Sequence, residues 1–186
     1  MNSKRRLTVL RIFTLVGVVA LMVALFVFRA QVKQLENYGY LGIFLISIAA
    51  NATIIVPLPG VAFTTAMGAI FNPIGVAVAA GLGAAIGELS GYLTGFSGQG
   101  VMERVNLYER LTKWMKAHQN LAYLMIGLLA FIPNPLFDLA GMASGALKLP
   151  LWKFLIACAI GKILKMLLFA YAGFYSYGWL ARFMVH

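Results

Sequence analysis

Hydrophobic positions along this chain fall into long runs, interrupted either by short basic stretches or by paired prolines. The first run, Leu7 to Phe28, has the length of a membrane-crossing helix, which needs about 20 apolar residues. Arg29 and Lys33 close it, and a polar connector runs from Gln31 to Asn37. Tyr38 to Phe71 is apolar again but carries Val56-Pro57-Leu58-Pro59-Gly60 in its middle. Prolines remove backbone donors and push the preceding residue out of the helical region. Each half is then too short to cross, and the pattern predicts a helix, a turn at membrane depth and a return to the same side. Such a re-entrant hairpin survives only where protein or a wet cavity covers its free backbone groups. After Asn72-Pro73, Ile74 to Phe96 is long enough to cross, and Gly83, Gly87, Gly91 and Gly95 at spacing four bare one helix face for close packing against another helix.

The pattern then repeats. Residues 97–119 form a polar break in which Leu107, Tyr108, Leu111, Trp114 and Met115 follow helical spacing among Arg104, Arg110, Lys113 and Lys116, predicting an amphipathic helix on a membrane surface. Leu121 to Leu147 is apolar and broken by Ile132-Pro133-Asn134-Pro135, and a long run continues from Leu151 to about Tyr175. Pro57 and Pro59 precede Pro133 and Pro135 by 76 positions, and Gly68-Ala69 and Pro73 precede Gly145-Ala146 and Pro150 by 77. The fold expected is therefore an all-α integral membrane protein: an N-terminal transmembrane helix, then an inverted repeat of two proline-broken re-entrant hairpins, each followed by a transmembrane helix. The parts are 1–37 (cytoplasmic N-terminus, first helix and connector), 38–96 (repeat 1), 97–119 (cytoplasmic amphipathic linker), 120–175 (repeat 2) and 176–186 (C-terminal tail). Paired inverted halves with broken helices are a layout of secondary transporters.

Composition strengthens the membrane reading. The chain is 62% hydrophobic and 11% charged, against about 25% charged in soluble domains. The net charge of +10 lies in clusters beside apolar runs, the positive-inside pattern, so no nucleic-acid partner is expected. Lys4, Arg5, Arg6 and Arg11 predict a cytoplasmic N-terminus, and a prokaryotic plasma membrane is the expected location. Lys148 and Lys153 read as interfacial side chains that snorkel to water. The lone Cys158 offers neither a disulfide nor a metal set, and reads as a small buried hydrophobe.

Charge inside the apolar runs is the remaining source of chemistry, since intramembrane ionisable groups are costly and mark sites by default. Glu88 lies in mid-span, Asp138 three residues after the second proline pair, and Lys162 and Lys165 on one helix face. Glu88 and Lys165 stand 77 positions apart, at equivalent places in the two repeats. Glu88 either forms a structural ion pair with Lys165 or Lys162, or joins the others in a polar cleft. In that cleft the lysines would meet lipid phosphate, and a carboxylate in an apolar setting could exchange protons. Neither His118 and His186 nor Ser90, Ser97 and Ser144 assemble a metal or nucleophile set, so no enzyme activity, cofactor or metal is expected.

The stretch Gly83-x-x-x-Gly87-Glu88-x-x-x-Tyr92-x-x-Gly95 resembles the first-half motif of the DedA/VTT superfamily, the SNARE-associated Golgi proteins. Phe131-Ile-Pro-Asn-Pro-Leu-Phe-Asp-Leu-Ala-Gly141, with Pro150-Leu-Trp-Lys-Phe154 and Ile160-Gly-Lys-Ile-Leu-Lys165, is similar to the second-half stretch of the eukaryotic vacuole membrane proteins in that superfamily. The resemblance covers about residues 38 to 175. It implies two re-entrant hairpins with flanking tilted helices, and movement of lipid between leaflets, by passive scrambling in eukaryotic members. In several bacterial members it implies polyprenyl-phosphate recycling linked to the proton motive force. By position Glu88 matches the acidic residue of the first motif, and Pro133, Pro135, Asp138 and Gly141 match the second. Many bacterial relatives carry arginines beside the second proline motif where this chain has Ala130 and Pro135, which favours phospholipid scrambling. The expected partners are phospholipid headgroups, with protons as a second candidate. A proton-coupled transporter of a small solute or ion, a polyprenyl-phosphate flippase and a non-transporting scaffold are the alternatives.

Overall fold

The computed structural model describes residues 36–52, 60–97, 106–133 and 136–184, all in helices and their short connections. The helices are α1 (Glu36–Ala52), α2 (Gly60–Gly68), α3 (Pro73–Gly87), α4 (Leu89–Phe96), α5 (Asn106–Ala117), α6 (Gln119–Phe131), α7 (Leu136–Ala146) and α8 (Leu151–Met184). The expected first helix at Leu7–Phe28 and the residues Pro57, Pro59 and Pro135 lie outside the described residues. Pro133 is exposed, after the end of α6.

Among the described residues, two stretches are long and apolar enough to cross a membrane: Pro73–Phe96, which is α3 with α4, and Leu151–Ser176 within α8. Tyr38–Ala52 in α1 and Leu121–Phe131 in α6 are shorter apolar helices, below the ~20 residues a crossing needs. Large and small residues are sorted in the sense opposite to a water-soluble bundle. On α3, Ile74, Val78, Leu82 and Ile86 point outward at spacing four, while Ala77, Ala80, Gly81 and Ala84 point in. On α8, Ile156, Ile160, Leu164 and Leu168 are all about half exposed. Small residues inside and bulky aliphatic ones outside suit a protein whose solvent is hydrocarbon.

Start and stop signals are physical. Asn72 caps α3, its Oδ1 accepting from the amides of Ile74 (2.9 Å) and Gly75 (3.3 Å), and Pro73 fills the first helical position, where no donor is missed. Helix α7 ends where Lys148 adopts φ 52°, which lets the Leu149 amide reach back to the Ser144 carbonyl (3.0 Å). The run expected as one helix from Ile74 to Phe96 is interrupted at Glu88, a turn residue between α3 and α4. Helical bonds continue across it, Glu88 N–H to Ala84 O and Tyr92 N–H to Glu88 O, so the span runs on without breaking.

Contacts between helices follow a crossed pattern. Helix α1 packs on α3 and α6 on α8, while α2 packs on α8 and α7 on α4; α3 and α8 also pack on each other. The start of α1 returns to the residues after α2, with the Tyr40 and Phe71 rings 5.7 Å apart. The start of α6 likewise lies beside the start of α8, where the Lys153 ammonium sits 5.5 Å from the Tyr123 ring. Two buried apolar clusters result. One joins Ile43, Met67, Phe71, Val76 and Ala80 to Met166 and Ala170. The other joins Ala85, Tyr92, Ile126, Phe137 and Ala143 to Phe154 and Cys158.

Glycines make the crossings possible. A Cβ on Gly87 would stand 2.6 Å from the Ile48 carbonyl oxygen, and one on Gly81 would stand 2.7 Å from the Ile163 Cα. Added at Gly95 it would meet the Met142 backbone, and at Gly145 that of Tyr92. Of the four-spaced glycines, Gly83 and Gly87 face α1 and Gly95 faces α7, whereas Gly91 has nothing within 4 Å. Gly141 meets only the far edge of the Phe154 ring, at 3.9 Å.

Candidate functional site

Between α3 and α4 the Glu88 side chain lies in the interior, where the residue is 7% exposed. Opposite it, α8 carries a buried stripe at every fourth residue: Phe154, Cys158, Lys162, Met166 and Ala170. Lys162 belongs to that stripe and is 4% exposed. Its ammonium pairs with Glu88 Oε1, accepts company from the Asn51 side chain by donating to Oδ1 at 2.9 Å, and lies 4.7 Å from the centre of the Phe137 ring. Asn51 is oriented in turn, donating from Nδ2 to the Ser47 carbonyl at 2.9 Å.

Four elements therefore supply this site. Glu88 comes from the junction of α3 and α4 in the first span and Lys162 from the second. Asn51 comes from the last turn of α1 and Phe137 from the first turn of α7, the two residues flanking the broken segments. The site lies between the two apolar clusters. Lys162 is eleven residues into α8, or about 16 Å along the helix at 1.5 Å per residue. That is close to the middle of a hydrocarbon layer about 30 Å thick.

The remaining sequence candidates are near but not joined to the pair. Lys165 is half-buried and Asp138 exposed, both close enough to act electrostatically on Glu88. Lys165 falls off the inward stripe because it lies three positions on from Lys162, among the outward Leu164 and Leu168. Asp138 stands in the first turn of α7, where a carboxylate complements the helix dipole. Asn51 was not singled out from the sequence, although an amide in the apolar run Tyr38–Phe71 was a signal of the same kind as Glu88. Cys158 is fully buried next to the site, and Tyr92 ties α4 to the second half by donating to the Leu149 carbonyl at 2.6 Å.

A buried carboxylate–ammonium pair, capped by an amide and an aromatic face, is satisfied and yet costly, because both charges have left water. In a helical bundle with bulky residues turned outward, it defines a helical membrane protein with an acid–base pair in its interior. The VTT domain family matches residues 58–175, and this chain belongs to that family. Vacuole membrane protein KMS2 of Arabidopsis thaliana is 36% identical, over 44% of this chain and 24% of its own length. Vacuole membrane protein KMS1 of the same plant is 34% identical over the same shares. The vacuole membrane protein 1 homolog of Dictyostelium discoideum is 49% identical over 30% of this chain and 14% of its own. The match thus spans about a quarter or less of these relatives. No solved structure matches.

Proposed function

We propose that this protein moves lipid between leaflets, as a phospholipid scramblase or flippase, through an inverted repeat of two re-entrant hairpins. The observation that carries the reading is the Glu88–Lys162 pair with Asn51 and Phe137, set where both broken segments reach both spanning helices. The hairpin reading rests on contacts that bring the two ends of each broken segment back to one level, Tyr40 with Phe71 and Tyr123 with Lys153. The inversion rests on the crossed packing of α2 on α8 and α7 on α4. Polar side chains at the meeting of broken helices are where secondary transporters bind substrate. Lys162 would receive a lipid phosphate as a point charge when Glu88 releases it, and Asn51 would hold the ammonium in the meantime. Asp138 and Lys165, nearer the outside, would line the approach. The protein would act without a cofactor, as a multi-pass plasma-membrane protein with a cytoplasmic N-terminus.

Dithionite quenching of a fluorescent phospholipid in proteoliposomes tests this. Quenching is expected to pass the outer-leaflet half for the parent chain, and to fall toward half for Glu88→Gln in protein that remains folded. A parent chain that stops at half refutes passive scrambling, and a fully active Glu88→Gln removes the carboxylate from the path.

The second reading, a proton-coupled transporter, is favoured by the enclosure of the same carboxylate. It requires pH-driven flux of a solute, or of a polyprenyl phosphate, in vesicles where phospholipid stays in place. A non-transporting scaffold would show neither.

A further inference from the structure

Away from the buried pair, α6 and α8 enclose a groove of about 750 Å³ that opens sideways from the bundle. Its floor is made of small residues. Gly127, Ala157 and Gly161 let the helices meet backbone to backbone, and a Cβ on Gly161 would stand 2.8 Å from that of Ala130. Leu124 and Leu128 form one wall, and Ile156, Ile160 and Leu164 the other, all of them about half exposed. Polarity is confined to one end. There Lys153 is exposed, with its ammonium 5.5 Å from the Tyr123 ring and 5.4 Å from the Trp152 ring. Among the described residues, no carboxylate is paired with it.

We infer that this groove is a binding site for one anionic phospholipid, its phosphate on Lys153 and one acyl chain along the floor. Three features argue for that occupant. From Lys153 to Leu164 is eleven residues, about 16 Å, which matches one leaflet of a hydrocarbon layer about 30 Å thick. Trp152 opens the spanning stretch Leu151–Ser176, with Lys153 between its ring and that of Tyr123; aromatic side chains at such a span end mark a membrane–water boundary, which would put the cation at headgroup height. The rings also hold the ammonium at the mouth of the groove, where it meets an anion with no acid beside it. A convex lipid-facing surface offers none of this enclosure. The site lies on the outer side of α8, separate from Glu88 and Lys162, and does not depend on lipid being moved.

The test uses the full chain in phosphatidylcholine vesicles containing a minor fraction of phosphatidylglycerol with a photoactivatable acyl chain. Cross-linked peptides are mapped by mass spectrometry. Label should concentrate on Leu124, Leu128, Ile156 and Ile160, and unlabelled phosphatidylglycerol should displace it better than phosphatidylcholine. Lys153→Gln, an exposed change that leaves packing alone, should lower groove labelling about fivefold, the factor given by ~1 kcal/mol per interfacial lysine. Lys153→Arg should retain it. Label spread evenly over Leu41, Leu45, Val78 and Leu82 overturns the site, as does indifference to Lys153→Gln. Groove residues cross-linked to a second copy of the chain instead of to lipid overturn it too. Dithionite quenching is a separate readout, so failure of this site and failure of lipid transport are told apart.

Discussion

At the scale of single residues, the interior of this protein is organised by the spacing of four along α8. Phe154, Cys158, Lys162, Met166 and Ala170 face inward, which selects Lys162 over Lys165 as the partner of Glu88. The sequence offered both lysines. The repeat offset even aligned Glu88 with Lys165, because an offset equates positions along the two halves of the chain while pairing depends on rotation about the helix axis. Removing one partner of a buried pair leaves an uncompensated charge and costs about 3–5 kcal/mol. Lys162→Met alone should therefore lower thermal stability in detergent sharply. The double change Glu88→Gln with Lys162→Met should recover most of the loss, since neither charge remains to be buried. If the double variant is no more stable than Lys162→Met, the pair is not what links these positions.

Elements show how much a pattern can carry and where it stops. The all-helical class and the two spanning stretches were legible in hydropathy, which reports the transfer of side chains into hydrocarbon. The interruption at Glu88 was not legible, because no proline marks it and glycines there are explained equally well by close packing. The glycine stripe of the first span was legible as a stripe but not as two contacts, α1 along Gly83 and Gly87 and α7 along Gly95. Space around each glycine now separates them. Gly95→Ala should destabilise the protein, since the new methyl meets the Met142 backbone. Gly91→Ala, with nothing within 4 Å, should be neutral or stabilising by up to about 1 kcal/mol through helix propensity. Thermal melting of the two variants side by side checks this, and equal losses would contradict the assignment of Gly95 alone to the interface.

For the whole molecule, the contacts place Phe71 and Asn72 at one level and Phe96 with Lys148 at the other, the Lys148 ammonium lying 5.9 Å from the Phe96 ring. Cys158 is the single cysteine and is fully buried, so introduced cysteines can be read without background. A membrane-impermeant maleimide should label Asn72→Cys and Lys148→Cys from opposite faces of sealed vesicles. Labelling of both from one face would overturn the crossed arrangement. That arrangement also bears on how the chain is made. Helix α2 finds its partner at Ala170, about a hundred residues later in the chain, and such distant pairings are slow to form. A ribosome that has delivered the first half leaves α2 and the acid at Glu88 in the bilayer without their partners until α8 follows. Maturation of this protein should hence be timed by the emergence of α8, and the waiting first half is where a cell's insertion and quality-control machinery would have to hold it.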